Sequence, residues 1–135
     1  MSTTDQILND HPNDRPGLSQ ALLSACIDAC IACAQACTSC ADACLGDLMV
    51  DQLRGCISAD LDCADICTST ARVLSRQVGH DASLTRVLVL ACLTACRAAH
   101  IRHYAIEDVD DRCRVCVDAC RVAEHACREL LNSLE

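Results

Sequence analysis

Between Cys26 and Cys44 the chain reads CIDACIACAQACTSCADAC, with cysteines at 26, 30, 33, 37, 40 and 44. The gaps alternate four, three, four, three, four, the a/d spacing of a heptad seam written in cysteine instead of leucine or isoleucine. No proline or glycine interrupts the run and alanine fills many flanking positions, so the spacing predicts one helix carrying a single stripe of six thiols. At 1.5 Å of rise per residue that stripe is about 27 Å long. A fold built on such a helix must put sulfur where a core normally puts hydrocarbon.

The rest of the composition sharpens the constraint. The chain has 135 residues, enough for one domain, yet it has no Phe or Trp, and Tyr104 is its single aromatic residue. Fifteen residues are cysteine, a density that in a short secreted chain reads as a disulfide scaffold. The opening MSTTDQILNDHPNDRPG has neither the basic nor the apolar region of a signal peptide, so a cytoplasmic address with reduced thiols is expected. No uncharged apolar run reaches 18 residues, so no membrane-spanning helix is expected. A formal charge of −8 disfavours nucleic acid as a partner.

Taken along the chain, residues 1–16 read as a polar amino-terminal arm with at most one helical turn near Asp5–Leu8, and residues 17–135 as one domain. A first long helix follows Pro16-Gly17 and runs to Leu45, where Gly46 stops it and Asp47 caps the next. The second spans about 48–78, with Met49, Leu53, Cys56, Asp60, Cys63, Cys67, Thr70 and Leu74 inward. The third starts after Gly79, capped by Asp81, and runs to about 105, with Thr85, Val89, Cys92, Cys96, Ala99 and His103 inward. The fourth, capped by Asp108 with Asp110 and Asp111 in its first turn, carries Val109, Cys113, Cys116, Cys120, Ala123, Cys127, Leu130 and Leu134 on one stripe. Four helices on short links predict an all-α fold, an antiparallel up-down-up-down four-helix bundle with a cysteine-lined core.

Several chemistries compete for the cysteines. Buried free cysteine can be a small hydrophobe, but leucine would bury more apolar surface at the same positions. Disulfides suit pairs four apart on a helix poorly, and fifteen is an odd number. Ferredoxin-type iron–sulfur ligation needs C-x2-C-x2-C-x3-C-P wrapped in a loop, and here Leu45 follows Cys44. Tetrahedral zinc between helices remains an alternative, although Cys37/Cys40 and Cys113/Cys116 lie inside helices rather than in knuckle turns. Cu(I) fits best, because it is soft, prefers thiolate and accepts two or three sulfurs. Six i,i+4 pairs can converge on such an ion: Cys26/Cys30, Cys33/Cys37, Cys40/Cys44, Cys63/Cys67, Cys92/Cys96 and Cys116/Cys120. Cys56, Cys113 and Cys127 share the seams and can bridge between helices.

CxxxC stripes on all four helices, with CRVCVDACRVAEHACRELL at the end, resemble the cytosolic branch of the bacterial four-helix-bundle copper storage proteins over about residues 18–134. The resemblance implies a homo-oligomer, usually a tetramer, with many Cu(I) ions in each bundle. Ala99 and Ala123 stand where members can carry a ligand, and members are generally richer in cysteine, so capacity is the property these departures touch.

The two ends of such a bundle differ. Leu22, Leu23, Leu74, Val78, Leu84, Leu88, Leu130, Leu131 and Leu134 gather at one end as an apolar plug. Cys44, Met49, Leu53, His100, His103, Tyr104 and Cys113 gather at the other, and the resemblance also places histidines at one mouth. His100 and His103 are therefore the expected entry ligands, the alternative being helix-end cations favoured by the dipole. His11, His80 and His125 read as solvent-facing. Asp60 is the misfit: either its helix rotates to bury Ala59 instead, or the carboxylate accepts hydrogen bonds from thiols and divides the sulfur core. The expected function is storage of multiple Cu(I) ions by these thiolates without catalytic turnover, with a copper chaperone as a possible delivery partner. The alternatives are a zinc or cadmium thiolate buffer and a thiol-dependent redox enzyme, which needs one exposed, low-pKa cysteine that the pattern does not single out.

Overall fold

The computed structural model describes residues 1–12, 18–76, 78, 79, 81–104 and 111–134. Among these residues the protein is all-α, with five α-helices, one 3-10 turn and no strand. The helices are α1 (Thr3–Asp10), α2 (Gln20–Leu45), α3 (Arg54–Ser75), α4 (Ala82–Tyr104) and α5 (Asp111–Ser133). The four long helices pack in a ring: α2 against α3, α3 against α4, α4 against α5 and α5 back against α2.

Their ends follow from local chemistry. Ser19 opens α2 by accepting from the Leu22 amide, and Gly46 closes it in a right-handed conformation rather than the left-handed one common at such stops. Asp47 does not cap α3. It accepts from the Met49 amide at 2.8 Å in a turn, Val50–Gln52 form the 3-10 turn, and α3 begins only at Arg54. The second long helix is therefore shorter than expected, and Met49, placed inward by its spacing, is 52% exposed. Asp81 does cap α4, accepting from the amides of Ser83 and Leu84 at 2.9 and 3.1 Å. Gly79, at φ 67°, occupies the left-handed region in the turn before it, where a side chain would be strained. The expected cap Asp108, the expected first-turn Asp110, the Val109 seam position, Pro16-Gly17 and His80 lie outside the described residues, as do the side chains of Tyr104 and Asp111.

The amino-terminal arm holds more structure than one turn. Ser2 and Asp5 form a reciprocal capping box that starts α1. The helix then docks on α2 and α3, with Thr4 and Leu8 buried, Thr4 donating to Asp28 and Ser24 of α2 donating to Asp5. The expectation of a loose arm overlooked these side-chain anchors, which match short polar residues to one another across a wide sequence gap.

All fifteen cysteines are buried and none is in a disulfide. At the far end of the core Leu23, Leu74 and Leu130 are buried as an apolar plug. Leu22, Leu88, Leu131 and Leu134 are half-buried, while Val78 and Leu84, expected in the plug, are exposed. Gln20–Leu45 and Ala82–His103 are long and apolar enough to cross a membrane by length and composition, although neither contains an uncharged 18-residue run. In each helix the cysteines of the seam face the neighbouring helices, while Ile31, Leu84, Val87, Leu90 and Ile101 are exposed.

Caps, alanine-rich helices and the leucine plug are all present without metal, so the metal-free chain should already be folded, unlike a zinc finger. Circular dichroism of reduced, metal-free protein should show a strongly helical spectrum that changes little on metal loading. A coil spectrum that becomes helical only with metal would contradict this account.

Candidate metal centre

Because each long helix turns its cysteines toward the others, sulfur meets sulfur between helices more than along them. Cys26 lies 3.7 Å from Cys127, Cys30 lies 3.6 Å from Cys92, and Cys37 lies 3.5 Å from Cys120 and 3.7 Å from Cys116. Cys33 touches Cys63 and Cys120, both at 3.7 Å, while Cys67 lies 3.7 Å from Cys92 and 3.6 Å from Cys96. Of the i,i+4 pairs expected to converge, Cys33/Cys37 and Cys63/Cys67 make hydrogen-bonding contact, at 3.8 and 3.9 Å. Facing helices bring sulfurs as close as neighbouring turns do, and a single-helix reading of the spacing cannot see that.

These contacts assemble four all-sulfur groups whose atoms lie within 4.8 Å of one another. They are Cys33/Cys63/Cys67/Cys96, Cys33/Cys37/Cys63/Cys120, Cys26/Cys30/Cys127 and Cys30/Cys67/Cys92. The groups share members, so they form a continuous column and not separate sites. Three sulfurs around an ion with metal–sulfur bonds of about 2.3 Å sit about 4 Å apart, close to the spacing already present. Burial opposes ionisation of the thiols in these four groups, and contact between thiols lets one carry charge while its neighbours hold protons. Hydrogen bonding to Cys120 and Cys37 thus lowers Cys33, and contacts with Cys116 and Cys120 raise Cys37. Each monovalent ion that displaces a proton from this column needs no additional counter-charge.

The column ends in a group of different chemistry. Cys40, Asp60, His103 and Cys116 bring two sulfurs, an oxygen and a nitrogen within 4.8 Å of one another. Asp60 and His103 are both 0% exposed, so α3 has not rotated to bury Ala59 in the carboxylate's place. His103 Nε2 lies 3.0 and 3.1 Å from the two Asp60 oxygens and 3.7 Å from Cys40 Sγ. Cys116 donates to Asp60 at 3.4 Å. Burial pushes the Asp60 carboxyl up to about 6, and the hydrogen bond with Asp60 pushes the His103 imidazole up to about 11. At neutral pH the pair is a carboxylate against an imidazolium, and the ring must release a proton before Nε2 can ligate. The Nδ1 atom of His103 is buried with no hydrogen-bond partner among the described residues. The spacing placed His103 on the seam and named Asp60 the misfit, but it did not join them. The signal was there: two ionisable residues on facing seams at the same end.

Cys44, Cys56 and Cys113 lie one helical turn beyond this group, buried but outside the clusters described. Burial raises the thiols of Cys44 and Cys56, and Cys56 donates to the Arg102 carbonyl at 3.6 Å. His100 is not among the clustered ligands. Its Nε2 lies 2.7 Å from Glu124 of α5, a residue the sequence reading did not single out, and Arg97 donates to the same carboxylate at 3.0 Å. Burial raises the Glu124 carboxyl, but Arg97 and His100 outweigh it and hold the group below its usual range. His11 is half-buried rather than solvent-facing, and His125 is exposed as expected.

The sequence matches the family described as Csp, copper storage protein, over residues 19–132. No curated protein sequence matches the chain. Among solved structures, the copper storage protein Ccsp from Streptomyces lividans, loaded with 10 copper equivalents, superposes with a TM-score of 0.94 at 46% identity, covering 97% of this chain and 99% of that one. A histidine-to-alanine variant of the same protein gives 0.86 at 48% identity, covering 88% and 99%. A five-copper state of the cytosolic copper storage protein from that organism gives 0.81 at 49% identity, covering 83% and 93%. A match of this length, on a chain whose fifteen cysteines are all buried and free, places the protein in the copper storage protein family.

Proposed function

We propose that this chain is a cytoplasmic store of Cu(I), holding many ions per molecule on the thiolates of its core and carrying out no turnover. The observation that carries the reading is the continuous column of sulfurs in mutual contact across four helices, which offers shared sulfur sites along its length and singles out no reactive cysteine. The proposed architecture is an antiparallel up-down-up-down four-helix bundle over residues 17–135, with residues 1–16 as an arm and a homotetramer as the assembly. The antiparallel run is supported by the order of the contacts: Cys26 with Cys127, Cys33 with Cys120 and Cys37 with Cys116 descend α5 as they ascend α2. The proposed ligands are the fifteen cysteines with His100 and His103. Membranes and nucleic acid are not proposed partners; a copper chaperone is a possible one.

Cu(I) needs two or three sulfurs, and each sulfur can bridge two ions, so filling can approach one ion per thiol. Titration with Cu(I) under nitrogen should saturate near the count of fifteen cysteines. Saturation at two or three equivalents would end the storage reading and favour a zinc or cadmium buffer or a redox enzyme.

Entry is proposed at the His100/His103 end, because the leucine plug closes the other and imidazole is the weaker soft ligand, able to pass Cu(I) on to thiolate. Burial of His103 makes it an inner station, with the half-buried His100 nearer the surface. Replacing both histidines by glutamine should slow Cu(I) uptake and its removal by a chelator, while total capacity falls only by the ions held at that end. Uptake at the wild-type rate would show that ions enter elsewhere.

A further inference from the structure

The thiol column occupies the inner side of each long helix, and on α4 a second stripe faces away from it. Leu84, Val87, Ala91, Thr94, Ala98 and Ile101 follow one another at gaps of three, four, three, four and three, an a/d seam on the outside of the bundle. All six are exposed, and Leu84, Val87 and Ile101 are each more than half exposed. A contiguous apolar stripe of this kind marks a contact surface. Its order is nearly symmetrical. Run antiparallel to a second copy of itself, it sets Leu84 against Ile101, Val87 against Ala98 and Ala91 against Thr94. Bulk then lies at the two ends and small side chains at the middle.

The outer face of the neighbouring α3 carries a charge pattern with the same symmetry. Ser58, Asp62, Asp65, Ser69, Arg72 and Arg76 repeat at gaps of four, three, four, three and four, acidic in the first half and basic in the second. All six are exposed, and among the described residues none of the four charged ones is in an ion pair. Within one chain Arg72 and Arg76 stand four apart, an unfavourable spacing for like charges. Against an antiparallel second copy, Arg72 meets Asp62, Arg76 meets Ser58 and Asp65 meets Ser69. One axis serves both stripes. Cys63 lies 3.7 Å from Cys96 and Cys67 lies 3.7 Å from Cys92, which sets the height of α3 against α4. The middle of the α3 stripe falls at Cys67, and the middle of the α4 stripe falls beside Cys92, at the same height. The groove between α3 and α4 is lined largely by small residues, Gly55, Ala59, Ala95 and Ala98 among them, so little stands between the stripes to hold a facing copy away.

We propose that the outer α3/α4 face pairs two copies of this chain about a two-fold axis at the level of Cys67 and Cys92, with α4 antiparallel on α4 and α3 antiparallel on α3. This rests on the homo-oligomer proposed above and names the surface that builds it; in a tetramer the contact is one of the self-complementary interfaces. The test is the mass of the full chain, reduced and metal-free, by light scattering over a dilution series. Wild-type protein should be a dimer or a tetramer. Ala91→Glu sets a carboxylate beside the axis and should halve that mass. Asp62→Arg and Arg72→Asp should each weaken association by about tenfold or more, because like charges then face each other. The double variant Asp62→Arg/Arg72→Asp should restore it, a recovery that follows only if residue 62 of one copy meets residue 72 of the other. An assembled wild type whose mass survives Ala91→Glu and both single reversals would overturn the proposal alone. So would a double reversal as weak as the singles, with every variant helical by circular dichroism. A wild-type mass of one chain would overturn the proposal and the homo-oligomer together, leaving the face to a different partner. None of these residues is a proposed copper ligand, so the Cu(I) titration stands or falls separately.

Discussion

Sulfur packed against sulfur at 3.5–3.9 Å, without oxidation, is the contact on which the rest of the structure depends. A disulfide bond is about 2 Å long, so these atoms are at contact distance and not bonded to one another, which leaves each sulfur available to a metal. Holding such atoms together takes a frame that does not rely on them. Alanine beside most of the cysteines lets the helices approach, and the leucine plug and the docked α1 anchor the end of the core remote from His103. The thiols are thereby relieved of the structural work that leucine performs in an ordinary bundle.

That division has an energetic consequence. A core of small thiols buries less apolar surface per residue than one of leucine, at about 25 cal/mol per Å². What it gains is a set of positions where a proton and a monovalent ion are interchangeable without building up charge. Ligands positioned before the metal arrives also reduce the ordering that binding would otherwise demand. Asp60 and His103 break the uniformity at one end, with two groups that are ionised, buried and paired at neutral pH. A column ending in plain thiols would need neither.

The helices and their inward faces were legible in the sequence because a heptad of cysteine is a periodic signal that composition cannot blur. Gly46, Asp81 and the alanine-rich runs reinforced it. Three things were not legible. Met49 sits on the seam in a helical projection, but the 3-10 turn at Val50–Gln52 breaks the projection, and turn geometry is not periodic. Sulfur pairing between helices depends on their relative rotation, which the spacing along one helix leaves open. The meeting of Asp60 with His103 crosses two helices and 43 residues, so each residue could be recognised as odd while the pair stayed hidden.

The central claim is that metal fills the space among the inward sulfurs. Crystals of protein loaded with Cu(I) under nitrogen, with diffraction recorded on either side of the copper absorption edge, test it directly. The account predicts a file of anomalous peaks between the four long helices, from the level of Cys26 and Cys127 to that of Cys40 and Cys116, each within bonding distance of two or three sulfurs. Copper confined to surface histidines, or to contacts between molecules, with the column empty, would contradict it.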